Sequence, residues 1–274
     1  MWAGTGALGI GVQKTFYHRD IRQPGLPEVT SRAQPMLYNA SLNFIPLDRL
    51  AVYASYARGL EESGIAPNSA LNRGEAMPAS LTKQVDAGLR YAVTVSLSVI
   101  AGVFQVEKPY FNINTANVYG PLGSVRHRGI EFSVTGQIAE GLTVVGGMIL
   151  LQPRVSGDPV DRGVIGPIPV GPTPRNVLLN LQYQPEAWKG FGINAQFTNL
   201  SGQVTRTDNA YKTGSYNQLN LGARYNFTMF SMPMSWRGQV QNVTNAYGWN
   251  VGSSGSFNPK NPRRYQMTLT ADIE

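Results

Sequence analysis

Residues able to carry chemistry are few in this chain, and no set of them is complete. Cysteine is absent, which excludes disulfides, thiolate metal ligands and thiol nucleophiles, and the two histidines are His18 and His127. His127 stands between Arg126 and Arg128, whose charges oppose its protonation, and nothing near it in sequence supplies companion metal ligands. The run Gly4-Thr5-Gly6-Ala7-Leu8-Gly9 has the spacing of a dinucleotide-binding turn. That turn needs a strand before it and a helix after it, so that helix N-terminal amides meet the pyrophosphate. Here the residues from Gly9 to Tyr17 read as a strand. Gly252-Ser253-Ser254-Gly255 has the wrong spacing for a nucleophile elbow. Glu61 and Glu62 are adjacent loop carboxylates, a pattern of solvated charge rather than of an acid–base pair. Neither enzyme chemistry nor a cofactor nor a metal site is expected.

The elements that carry these residues are strands. The chain has 274 residues, 42% of them hydrophobic, and only 14% are charged against the roughly 25% usual in soluble domains. With 10% aromatics and 30 glycines it is not a disordered sequence. No apolar run is long enough for a membrane-spanning helix. Its net charge of +7 is scattered singly and in pairs, as at Arg263 and Arg264, which does not suit nucleic-acid binding. What recurs is alternation. Leu219, Leu221, Ala223, Tyr225 and Phe227 share one face of their segment, and Asn220, Gly222, Arg224 and Asn226 share the other. The segments 191–198, 130–138 and 264–273 repeat the pattern, giving each strand one apolar and one wet face. Two segments are ambiguous: 142–151 is apolar on both faces, and 50–58 sets Tyr53 and Tyr56 on opposite ones.

Spacing says more than the strands do. Strands are expected near 6–17, 37–46, 49–58, 82–92, 94–106, 124–138, 141–153, 174–185, 190–200, 214–228, 233–243 and 263–273. Short turns alternate with long connections at 18–36, 59–81, 107–123, 154–173, 201–213 and 244–262. Loops beyond about 12–15 residues are uncommon in compact domains. Their strict alternation puts all six at one end of a sheet. This is the organisation of an all-β, antiparallel transmembrane barrel, or a portion of one, with short periplasmic turns and long extracellular loops. A sandwich rarely keeps every long loop at one end, and no propeller-like repeat is visible. Trp188, Trp236, Trp249, Tyr183, Tyr225 and Phe227 fall near expected strand ends, where interfacial aromatics sit.

Several phrases then resemble the C-terminal barrel of TonB-dependent outer-membrane receptors of the ferric-siderophore type. They are Val52-Tyr53-Ala54-Ser55-Tyr56-Ala57-Arg58-Gly59-Leu60, the strand Ala79 to Tyr91, and Gly123-Ser124-Val125-Arg126-His127-Arg128-Gly129-Ile130-Glu131-Phe132. Pro174-Arg175-Asn176 through Leu181, Val240 to Asn245, and Pro262-Arg263-Arg264 follow in the same order. The family usually has Glu where Asp86 stands. The resemblance implies an outer-membrane location, contact with lipid, a ferric siderophore or similarly bulky ligand bound by outer loops, and coupling to the TonB system through a plug domain.

Members resemble a plug followed by a barrel of about 22 strands, whereas about twelve strands are legible here. No plug, TonB box or signal peptide is recognised, and the chain ends Asp272-Ile273-Glu274 rather than in an aromatic residue. The expectation is that residues 1–274 are the C-terminal part of a receptor barrel, with plug and N-terminal strands absent. A part barrel has two open edges whose unpaired groups are costly in hydrocarbon, so imperfect closure is expected. A passive outer-membrane pore and a non-functional receptor fragment are the alternative readings. For an anionic, partly aromatic ligand, loop arginines and aromatics are the candidate contacts: Arg73, Tyr110, Tyr119, Arg162, Arg206, Tyr211 and Trp249.

Overall fold

The computed structural model describes residues 4–22, 28–253 and 255–272. Its strands in chain order are β1 (Thr5–Lys14), β2 (Tyr17–Ile21), β3 (Val29–Ala33), β4 (Met36–Leu47), β5 (Leu50–Glu61), β6 (Ser80–Ala92), β7 (Leu97–Ile113), β8 (Tyr119–Ala139), β9 (Leu142–Ser156), β10 (Arg175–Tyr183), β11 (Phe191–Leu200), β12 (Tyr216–Met229), β13 (Met232–Gln241), β14 (Trp249–Val251), β15 (Phe257–Pro259) and β16 (Arg264–Ala271). Twelve of them form one antiparallel sheet in the order β1-β4-β5-β6-β7-β8-β9-β10-β11-β12-β13-β16. Every neighbour in this wall is also next in sequence once two small loop hairpins, β2–β3 and β14–β15, are set aside. The expected all-β, antiparallel barrel architecture is present. The first and last residues of the chain, including Met1, Trp2, Ala3, Ile273 and Glu274, lie outside the described residues, and so does Ser254 of the rejected nucleophile motif.

Cross-strand register fixes the two faces. Leu219, Leu221, Ala223 and Tyr225 pair with Phe197, Ala195, Ile193 and Phe191 on one side, and Leu221, Ala223 and Tyr225 with Val240, Gly238 and Trp236 on the other. That outer face is apolar across the middle of the sheet. The inner face is polar and hydrogen-bonded side chain to side chain. The Tyr216 hydroxyl donates to Gln218 (2.8 Å), the Gln218 amide to Asn220 (2.7 Å) and the Asn220 amide to Gln196 (2.7 Å). Such a ladder satisfies the polar groups that the strand pattern places on the inner face.

The ambiguous segments resolve through register. Tyr56 faces outward and stacks on Tyr38 with ring centroids 5.8 Å apart. Tyr53 faces inward and lies over Gly88 and Gly102, where an added Cβ would sit 2.6 and 2.8 Å from its hydroxyl. The two glycines make room for the ring. In β9, Val145 and Ile149 are apolar residues on the inner face, opposite Thr135 and Glu131.

Turns and loops segregate as expected, with one correction. Short turns follow β4, β6, β8, β10 and β12; the last is Phe230-Ser231, both with positive φ, which suits a tight hairpin. The connection read as a long loop at 107–123 is instead a tall hairpin. β7 and β8 stay paired up to Ile113 and Tyr119, through a bulge at Tyr110/Phe111, and the loop is residues 114–118. Pro109 lies beyond Glu107, the last β7 residue paired to β6, and Pro121 faces the bulge at Phe111, both places where a strand accommodates proline. Trp249 lies in the loop hairpin β14 rather than at the end of a wall strand. Tyr183, Trp188, Phe191, Tyr225 and Phe227 do group at the short-turn rim, with ring centroids 5.1–5.6 Å apart.

A single-layer wall has no core between sheets, so burial concentrates where loops fold onto the loop end. Tyr110, Leu122, Val125, Val155 and Ile165 form one cluster; Ala66, Ala70, Met77 and Tyr119 form a second; Val170, Val204 and Val251 form a third. β1 pairs with β4 and β16 with β13, and no pairing joins β1 to β16 among the described residues. β16 is exposed along its whole length, Arg264 through Ala271.

Candidate functional site

At the loop end, the β7–β8 hairpin, the connections 62–79 and 157–174, and the β14 hairpin enclose a cleft of about 480 Å³. Its floor is the inner face of β7 and β8, where Lys108, Tyr110, Val125 and His127 share one side because alternate residues do. Its rim is charged. Lys108 Nζ donates to Glu61 Oε2 at 2.7 Å. Arg19, from the β2 hairpin, pairs with Glu62 and donates to the Ser63 carbonyl at 3.2 Å. The adjacent carboxylates therefore answer to different cations from different elements and do not form an acid–base couple. Ser63 Oγ, Ser80 Oγ and His127 Nε2 are buried without hydrogen-bond partners among the described residues. Such groups are costly to leave unmade and mark where a polar ligand atom would be welcome.

His127 is not flanked by the charges of its chain neighbours, contrary to expectation. Arg126 and Arg128 pair with Glu107 and Gln105 on the outer face, so they point away from it. The cation on its own face is Lys108, two pairs along.

The seven candidate contacts divide. Tyr110 and Tyr119 both line the cleft and are buried. The Tyr110 hydroxyl accepts from Asn112 (3.1 Å) and from the Val170 backbone (3.3 Å), tying the 157–174 connection to the wall. Tyr119 exchanges two 2.8 Å hydrogen bonds with the Asn72 side chain, which anchors the 62–79 connection. Arg206 stacks its guanidinium 5.6 Å over the Tyr211 ring and pairs with Asp208 at 2.7 Å, on an exposed tip. Trp249 is edge-on to Tyr247 and Phe257, at 5.5 and 6.0 Å. Arg162, at the end of the short helix α1 (Asp158–Asp161), is held by Asp158 at 2.6 Å. Arg73 is exposed on the turn that follows Ala70. Tyr110 and Tyr119 share the cleft, Arg206 and Tyr211 form a separate pair on their own tip, and the other three stand apart.

Residues the sequence did not single out hold the loops as a unit. Asn209 clamps Ile168 through both its amide N and its carbonyl O, each at 2.8 Å. Gln203 donates to the Gly171 carbonyl and accepts from the Val251 amide at 3.1 Å. Asn112 donates to the Ser253 carbonyl at 2.9 Å. Asn242, with 1% exposure, bonds Ala246 in both directions and reaches the Asn261 carbonyl. Lys260 sits 4.9 Å over the Tyr216 ring, and partial burial there holds its ammonium below the usual lysine range. For Asn209 and Gln203 the one sequence signal is an amide side chain in a loop, which does not reveal partners 41 and 32 residues away. No group of three or more His, Asp and Glu suited to a metal occurs among the described residues. The arrangement offers hydrogen bonds, stacking and paired charge to a polar guest.

Comparisons with known proteins agree with this architecture. A family model described as TonB dependent receptor-like, beta-barrel, matches residues 13–243. The ferrichrome receptor FcuA of Yersinia enterocolitica is 25% identical over 241 residues, covering 83% of this chain and 31% of its own length. Among solved structures, the ferric preacinetobactin receptor BauA of Acinetobacter baumannii superposes with a TM-score of 0.78 at 24% identity, over 98% of this chain and 40% of that one. The ferripyoverdine receptor of Pseudomonas aeruginosa does so with a TM-score of 0.72 at 14% identity, over 96% and 36%. The chain thus spans between 31% and 40% of the length of these relatives.

Proposed function

Because the chain belongs to the TonB-dependent receptor-like β-barrel family, we propose that it builds the C-terminal wall and outer loops of an outer-membrane receptor for a ferric siderophore or a similarly bulky nutrient. The loop-end cleft supports this reading most directly. It is lined by two buried tyrosines, a Lys–Glu pair and three polar groups unpartnered among the described residues, and neither Ser63 Oγ nor Ser80 Oγ is hydrogen-bonded to a base. A guest held by hydrogen bonds and stacking alone can be released unchanged, which is what a transporter requires and a catalyst does not. The two edges left unpaired among the described residues support a second element of the reading, that further strands complete the barrel; the plug that would couple it to TonB rests on the family alone. The seven candidate contacts carry over as proposals, with Tyr110 and Tyr119 as wall anchors and Arg73, Arg162, Arg206, Tyr211 and Trp249 as outer-loop contacts. Lipid surrounds the outer face.

The test is growth of iron-limited, receptor-deficient cells supplied with iron-loaded hydroxamate, catecholate or mixed siderophores, while expressing the chain together with its upstream reading frame. Rescue by one siderophore class, lost when the plug-encoding segment is deleted, is the expected result. A steady open-channel current from the reconstituted chain alone, with no rescue by any class, would replace this reading with the passive pore.

A further inference from the structure

The register places an arc of cations on the outer face just below the loops. One cross-strand row runs Tyr38, Arg58, Lys83, Glu107, Arg126, Arg154 over six adjacent strands. The next row toward the turns runs Tyr56, Val85, Gln105, Arg128, Gln152, and the one below it Ala54, Ala87, Val103, Ile130, Leu150, Arg175. These three rows hold six cations and a single carboxylate, Glu107. That carboxylate is occupied by Arg126, whose Nε and Nη2 both reach Oε2, at 3.1 and 3.0 Å. Arg128 spends one donor on Gln105 at 2.7 Å. Arg58, Lys83 and Arg154 find no carboxylate in the rows.

An apolar groove of about 630 Å³ begins at this arc and runs down the same face. Arg128, Gln105 and Gln152 stand at its loop-side end, and Val85, Val103, Ile130 and Leu150 line it. Val103 is 55% and Ile130 54% exposed, and the small side chain of Ala87 lies on the other side of Val103 in the same row and also lines the groove. The arc and the groove are separate features, one of charge and one of shape, and together they match an amphiphile with an anionic head and a hydrocarbon tail.

Depth agrees. From Arg128 to Ala139, β8 advances roughly 36 Å at about 3.3 Å per residue, or roughly 28 Å of membrane at a tilt of about 40°. The hydrocarbon-facing band of such walls is about 25 Å tall. With Ala139 at the short-turn rim, Arg126, Arg128 and Arg154 stand at headgroup level, where a long cationic side chain keeps its charge in the interface.

We propose that this arc and groove form a docking site for a phosphorylated lipid of the leaflet that faces the long loops. Arg126, Arg128 and Arg154 bind its phosphates, and one acyl chain lies along Val103, Ile130 and Leu150. Arginine suits the role because its planar fork matches phosphate oxygens, and each cation near a charged headgroup is worth roughly fivefold in binding. The inference rests on the reading above, that the outer face meets lipid and the long loops face outward.

The experiment uses the protein purified in detergent from membranes and counts retained lipid by native mass spectrometry. Bis-phosphorylated lipid A is compared with the same glycolipid stripped of phosphate. The expected result is retention of the phosphorylated form, weakened about tenfold or more in R126Q/R128Q/R154Q and weakened less in R126K/R128K/R154K, which keeps the charge but loses the planar fork. Equal retention of both glycolipids, or no loss in the glutamine variant, overturns the site. Membrane fractionation of the same preparation is read first: a chain in the soluble fraction overturns the underlying reading as well, whereas an inserted chain with equal retention overturns the lipid site alone. Heat-dependent gel migration of the glutamine variant shows that its wall still forms.

Discussion

Phe132 and Ser133 are neighbours in sequence that the register separates completely. Phe132 faces outward between Ala101 and Met148, and Ser133 faces inward between Ile100 and Gly147. Phe132 lies four residues below Arg128, or roughly 10 Å along the membrane normal, well inside the apolar band. An arginine near the middle of that band costs about 2–4 kcal/mol, so Phe132→Arg should destabilise the inserted protein by roughly that amount. At Ser133 the same charge meets a polar interior, and across from it Gly147 leaves open space, its nearest potential Cβ contact being 3.8 Å away. Ser133→Arg should therefore change stability by no more than about 0.5 kcal/mol. Urea titration in lipid vesicles, read by heat-modifiable migration, measures both. Equal costs for the two variants, or a cost at Phe132 below that at Ser133, would refute the assignment of faces on which every later inference depends.

Two smaller predictions concern the loops. Asn209→Ala removes both hydrogen bonds to Ile168 and leaves a partly buried amide unpaired, a cost of about 1–3 kcal/mol; hydrogen exchange at the Ile168 amide should accelerate accordingly, and unchanged protection would show that the clamp is idle. In the β2–β3 hairpin, the Thr30 hydroxyl bonds Asp20 at 2.7 Å and holds its carboxyl below the ordinary value of 3.8, with His18 adding to the effect. A depressed carboxylate stabilises the folded form above the unfolded pKa and stops doing so as pH falls through the folded one. Protection of the hairpin amides, taken relative to their intrinsic exchange rates, should therefore fall as pH drops below about 3.8, and Thr30→Val should flatten that response.

Much of the wall was legible because a strand in a membrane obeys one local rule, alternation, that needs no knowledge of its partners. Leu219 to Phe227 shows it without help. The rule failed where loops rather than lipid or water cover the strand. The spacing places a strand near 94–106 and a long connection at 107–123, yet the β7–β8 ladder continues to Ile113 and Tyr119, and its inner residues Tyr110 and Val125 are buried beneath the 157–174 connection. The hairpins β2–β3 and β14–β15 have strands of five and three residues, too short for periodicity to register. The cleft was harder still. Glu61 and Lys108 meet across 47 residues of sequence, and the strand turns Arg126 and Arg128 to the side opposite His127, so adjacency in the chain misidentifies what surrounds it. Residue type suggested Tyr110 and Tyr119; only the three-dimensional packing of the 62–79 and 157–174 connections puts them in one cavity.

The packing of Val170, Val204 and Val251 against one another has a consequence for how the exposed surface is seen from outside. Each valine comes from a different connection, so the shape presented there exists only while all three segments are seated. An antibody or phage fibre selected on the intact protein would read a discontinuous epitope, and a peptide copied from any one segment would be a poor mimic of it. For the same reason, an insertion that drifts into one segment disturbs the other two, which favours exchange of the whole set over piecemeal change.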